Sequence, residues 1–189
     1  MDNRIQPAQL LIYAAGNKGL ERLAERFQKE CASAFKVELV ASAGEISGIL
    51  NRYFNLSQIN FLTHGNVATL DVGPDKVGPF RAAQVFKAPH KRPFLKERRV
   101  LFMGCQVAGG EDGREWLLAA GQALLRDHGG FVGGSTSPTF SLHGLVDVQL
   151  PRWLGAISDS FDWTLAAMSC QRSCPKAEIV AYDRGGKLD

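Results

Sequence analysis

Short apolar runs alternate with longer stretches of helical spacing along this chain. Leu10–Ala15 is apolar throughout and is closed by Gly16-Asn17, which predicts a buried strand. From Gly19 to Ala34, Leu20, Leu23, Ala24, Phe27 and Cys31 recur at helical spacing between charged residues, so an amphipathic helix is expected. Lys36–Val40 reads as a second strand. Ser42–Phe54 reads as a second helix: Ser42 followed by Glu45 is a capping-box pattern, and Ile46, Ile49, Leu50 and Tyr53 form its apolar stripe. Ile59–Thr63 and Arg99–Met103 read as the third and fourth strands. Between them, Asn66–Gly73 holds β-formers bounded by glycine and predicts a hairpin, and Arg81–Lys87 predicts a short helix before Pro89.

Asp112 with Glu115 marks the cap of a further helix running to about Asp127 through Trp116, Leu117, Ala120, Leu124 and Leu125. Gly129-Gly130 stops it, and Phe131–Gly134 reads as a fifth strand that runs into Ser135-Thr136. Beyond this, Leu145–Leu150 alternates like a strand, Trp153–Met168 reads as a helix, and Ala177–Tyr182 reads as a final strand. Strands alternating with helices predict parallel βαβ units, hence an α/β fold with a mostly parallel central sheet of about six strands and helices on both faces.

Composition narrows the class. The 189 residues suit a single domain, and no repeat, low-complexity tract or linker divides them. A hydrophobic fraction of 45% with 22% charged residues is that of an ordinary soluble protein. A net charge of +3 is too mild to argue for nucleic acid, so no nucleic-acid partner is expected. No apolar stretch has the length of a bilayer span, so no membrane partner is expected either. Met1–Pro7 is polar and unlike a secretory leader, which points to the cytoplasm or to an effector exported without a cleavable signal. The four cysteines Cys31, Cys105, Cys170 and Cys174 are then expected to be mostly free thiols. Cys170 and Cys174 lack a matching second pair, so no metal site and no cofactor are expected. Basic residues gather between Lys87 and Arg99, either as a solvated linker or as a site for an anionic partner.

The chemistry concentrates at two strand ends. His64-Gly65 follows the third strand, and Gly104-Cys105 follows the fourth. Residues just past the carboxyl ends of strands line the ligand crevice of α/β sheets. A thiol and an imidazole on that rim are the parts of a nucleophile and its base or acid. His143-Gly144 repeats the His-Gly dipeptide without a preceding strand and reads as a loop feature, as do His90 and His128 as linker and helix-end residues.

Phe61-Leu-Thr-His-Gly65, followed by Met103-Gly-Cys-Gln-Val-Ala-Gly-Gly110, a helix, and Phe131-Val-Gly-Gly-Ser-Thr136, resembles the caspase-like (clan CD) superfamily of cysteine peptidases. That superfamily includes caspases, gingipains, separases and the bacterial CHAT-like domains, to which the motif is most similar. The likeness follows element order over residues 10 to 137, and residue identity only in the two short motifs. The caspase-type Gln-Ala-Cys-x-Gly is absent, Met103 stands where an aromatic is common, and Gly133-Gly134 stand at two alanine positions.

The resemblance implies a three-layer α/β/α caspase-like fold and a cysteine endopeptidase acting on a protein or peptide substrate. Cys105 would be the nucleophile, His64 the general base or acid, and the backbone N–H groups of Gly65 and Cys105 the oxyanion hole. It also implies a substrate pocket after the fifth strand, at Ser135 and Thr136, with the hairpin residues Asp71 and Asp75 as further candidates. The alternatives are a catalytically silent caspase-like interaction module and an enzyme switched on by an anionic ligand at the Lys87–Arg99 run.

Overall fold

The computed structural model describes residues 9–31, 35–53, 56–87, 94–104, 106–125, 130–136 and 177–182. In chain order the elements are β1 (Gln9–Ala14), α1 (Lys18–Cys31), β2 (Phe35–Val40), α2 (Glu45–Leu50), β3 (Leu56–Leu62), β4 (His64–Asn66), β5 (Thr69–Val72), β6 (Asp75–Val77), α3 (Pro79–Val85), β7 (Phe94–Phe102), α4 (Gly110–Leu125), β8 (Gly130–Ser135) and β9 (Ala177–Tyr182). The mixed α/β architecture rests on a six-stranded sheet in the order β2-β1-β3-β7-β8-β9. Every pairing from β2 through β8 is parallel, and β9 joins the edge antiparallel. A second, three-stranded antiparallel sheet, β4-β5-β6, leaves the end of β3.

The sheet carries buried apolar residues on both its faces. Leu10, Ile12, Ile59, Phe61, Val100, Phe102 and Val132 point to one face and share a single buried cluster with α2, α3, α4 and the apolar side of the small sheet. Leu11, between Leu10 and Ile12, is fully buried on the other face, and Leu20 and Ala24 of α1 are buried outside that cluster. Four aromatic rings occupy the cluster's centre. Phe61 and Phe102 stack at 4.9 Å between centroids, and Trp116 meets Phe102 edge-on at 4.7 Å. The Trp116 indole N–H donates to the Val77 carbonyl at 2.7 Å, so α4 is bonded to the small sheet through the core.

Several boundaries differ from the sequence expectation. Helix α2 begins at Glu45, not Ser42, and ends at Leu50; its N-cap Gly44 makes no side-chain cap bond. The Glu45 carboxylate accepts the Ala41 amide, one residue before Ser42, so the capping box is not formed. Asp112 lies inside the first turn of α4 and is not its cap, because the helix already begins at Gly110 with Gly113 N–H donating to Gly109. Strand β7 starts at Phe94, so the second half of the basic Lys87–Arg99 run is strand and not linker. Pairing with β3 explains this: Leu56 lies opposite Phe94, and the register shifts before Gln58 meets Arg99. The hairpin read at Asn66–Gly73 is the middle of the three-stranded sheet, which begins at His64 and ends at Val77. The expected elements at Leu145–Leu150 and Trp153–Met168 lie outside the described residues, as do His90, His128, His143, Cys170 and Cys174. Among the described residues no helix is long and apolar enough to cross a membrane.

Candidate functional site

Strand order decides where a site can form. From β1 the chain moves outward to β2, and from β3 it moves the opposite way toward β7. The carboxyl ends of β1 and β3 therefore flank the point where the winding reverses, the usual crevice of such sheets. Asn17 follows β1, and His64 follows β3. The two side chains meet there, with the Asn17 amide Nδ2 hydrogen-bonded to His64 Nε2. The His64 side chain is exposed, whereas Thr63 just before it is buried, with its hydroxyl donating to the His64 carbonyl at 2.9 Å.

Cys105 lies outside the described residues; its neighbours on both sides are described and are fastened to the His64 segment. On one side the Met103 amide donates to Phe61 at 2.8 Å, extending the β3–β7 pairing. Gly104 then packs so tightly that a Cβ there would stand 3.4 Å from both the Gly65 Cα and the His64 carbonyl oxygen, and 3.0 Å from Leu70 Cδ1. On the other side the Ala68 amide, in the turn between β4 and β5, donates to the Val107 carbonyl at 3.3 Å.

Backbone strain falls in the same two loops. Among the described residues, Ala68 (φ 54°) and Gln106 (φ 51°) are the non-glycine residues with left-handed backbone. Such a conformation costs about 1–3 kcal/mol and persists where surrounding structure enforces it, often beside functional groups. Here one strained residue directly follows Cys105, and the other lies in the His64 hairpin bonded to that loop.

The expected pocket residues divide. Asp71 lies directly opposite His64 in the β4–β5 ladder, and Lys76 lies opposite Asp71 on the next strand. Directly opposed residues share a face, so an imidazole, a carboxylate and an ammonium form a row on the side away from Leu70. Thr136 is exposed and brings its carbonyl within 3.6 Å of where a Cβ on Gly109 would stand, which puts the end of β8 against the loop after Cys105. Ser135 ends β8, its backbone in register with Ala177. Gly65 is half-buried beside Gly104.

Asp75, the other hairpin candidate, has partners within the fold. Its carboxylate accepts the Ala43 amide at 2.9 Å and pairs with Arg81 at 3.1 Å, binding β6 to the start of α2. The Ala43 N–H first, and Arg81 second, hold its carboxyl below the ordinary aspartate value. Among the described residues no group of three or more His, Cys, Asp or Glu side chains is placed to hold a metal ion.

Asn17 was not among the expected site residues. Its signal is in the chain, since an Asn just ahead of a helical run is an N-cap pattern. Its second partner, 47 residues away, leaves no local trace. No protein-family model and no curated protein matches the sequence.

Proposed function

We propose that the protein is a cysteine peptidase of the caspase-like kind, with Cys105 as nucleophile and His64 as its proton-transfer partner. One observation carries this reading: the residues on both sides of Cys105 are tied to the short antiparallel sheet that begins with His64. Gly104, the residue before Cys105 in the chain, packs so closely on the His64 segment that an added Cβ would stand 3.4 Å from Gly65 Cα. The fold extends the reading to a three-layer α/β/α domain. Parallel crossovers are right-handed, so with this strand order α1 belongs on one face of the sheet and α2, α3 and α4 on the other. The shared cluster of α2, α3 and α4 with one face supports that arrangement.

In the reaction, Cys105 Sγ bonds to the carbonyl carbon of a peptide and the C–N bond breaks. The thiol proton leaves on the amine by way of His64, and water then hydrolyses the thioester. The N–H groups of Gly65 and Cys105 are the donors assigned to the oxyanion. Asp71, beside His64, together with Ser135 and Thr136 at the end of β8, borders the substrate. Lys76 on the far side of Asp71 competes with a cationic substrate residue for that carboxylate.

A panel of peptides ending in an electrophile after Arg, Lys, Asp or Leu tests the reading. The expected result is one adduct, mapped to Cys105 by mass spectrometry and absent in Cys105→Ala. No adduct from any peptide, with Cys105 inert to iodoacetamide, overturns catalysis and leaves a binding module of the same fold.

A further inference from the structure

The Asn17 side chain makes hydrogen bonds with both ends of its amide, and together they fix the state of His64. The Asn17 backbone carbonyl accepts the Glu21 amide at 3.0 Å, which makes Asn17 the N-cap of α1. Its side-chain Oδ1 accepts the Gly19 and Leu20 amides at 2.8 and 3.2 Å. Those two donors require an oxygen, so the atom on the other branch is the NH2. That NH2 faces His64 Nε2 and must donate to it. Nε2 therefore offers its lone pair, and the neutral ring carries its proton on Nδ1. In this arrangement neither ring nitrogen is free to take a proton from a thiol.

We infer that Asn17 is a positioning residue that holds His64 as the neutral, Nδ1-protonated tautomer and withholds it as a base until the Asn17–His64 bond opens. The inference rests on the proposed role of His64 as partner to Cys105 for its consequence, though not for the tautomer itself. A substrate whose binding displaces the Asn17 amide would release Nε2 to accept the thiol proton, and that proton then passes to the departing amine. Coupling of this kind leaves the resting thiol weakly reactive until a peptide is bound.

Asn17→Asp and Asn17→Ser separate this role from capping. Asp and Ser cap helices about as well as Asn, so both variants keep the N-cap and the melting temperature near that of the parent. Asp replaces the donor to His64 with an acceptor, and Ser is too short to reach it. In protein labelled with 15N-histidine, at fixed neutral pH, the His64 ring is expected to show Nδ1–H in the parent and to change to Nε2–H in Asn17→Asp. Iodoacetamide labelling of Cys105 is expected to rise roughly tenfold in Asn17→Ser, because an unassisted thiol is only a few per cent ionised near neutrality. Adding His64→Ala to Asn17→Ser should remove that gain.

An Nε2–H ring in the parent, or no change in Asn17→Asp, overturns the inference. A tautomer change with Cys105 labelling equal in the parent, Asn17→Ser and the double variant upholds the control of His64 by Asn17. It sinks the pairing of His64 with Cys105 instead.

Discussion

Strands β3 and β7 each hold two environments within a few residues. Phe61 and Phe102 are fully buried and stacked on one another, in ring contact with Phe86 and Trp116. Three residues after Phe61 comes the exposed His64, and three residues after Phe102 comes Cys105. The aromatic pair sets the lateral position of the two strands, and His64 and Gly104 come together at their ends. The strand bodies are held by shape and burial. Their ends are held by a few backbone hydrogen bonds and by glycines that let two loops touch.

This difference is open to attack from either side. The largest effect is expected in the strand bodies. Trp116→Ala removes a fully buried ring and its bond to Val77, and should cost about 3–5 kcal/mol in denaturant unfolding, with a lowered Tm. A loss below about 1 kcal/mol, the scale of an ordinary substitution, would mean that the aromatic cluster does not hold the strands in place.

A smaller loss is expected where the small sheet docks. Gly73 has φ +58°, and a Cβ there would stand 1.9 Å from the Ala41 carbonyl oxygen. Gly73→Ala must therefore move the β5–β6 turn away from Ala41, at roughly 1–3 kcal/mol for the strained backbone. Hydrogen exchange should quicken in residues 64–77 while β1 and β3 stay protected. Uniform loss of protection would contradict a separately docked hairpin.

The smallest effect belongs to Asp75 and depends on pH. Its folded carboxyl titrates below the unfolded value of about 3.9, held there by the Ala43 N–H and then by Arg81. A depressed carboxyl stabilises the fold above the unfolded value, and that contribution is lost as pH falls through the folded one. The parent should therefore melt above Asp75→Asn at neutral pH, and the gap should close on acidification below about pH 4. A gap that stays constant there would show that the Asp75 charge is not what docks β6.

Much of this was legible in the residues. The apolar runs at Leu10–Ala15 and Phe131–Gly134 marked β1 and β8 within a residue or so, because a buried parallel strand needs little besides an unbroken apolar run. Capping was less legible. Ser42 and Asp112 have the right residue types, yet the helices begin at Glu45 and Gly110. The start of β7 was hidden by the charges of the Lys87–Arg99 run, which pairing with β3 overrides.

At the site, His64 and the Gly-Cys motif announced themselves through residue type and position after a strand. Asn17 did not, because a hydrogen bond across two parallel strands has no periodicity. For a related reason the sequence shows the Asp75 carboxylate near the hairpin but not the amide it binds 32 residues earlier.

The proposed pairing of His64 with Cys105 can be tested by one rate ratio. Using the peptide electrophile that labels the protein fastest, the rate of Cys105 modification is measured in the parent and in His64→Ala. A loss of about 10²-fold or more is expected, the contribution of a positioned acid–base group, with Tm unchanged because the His64 side chain is exposed. Equal rates in the two proteins would contradict it.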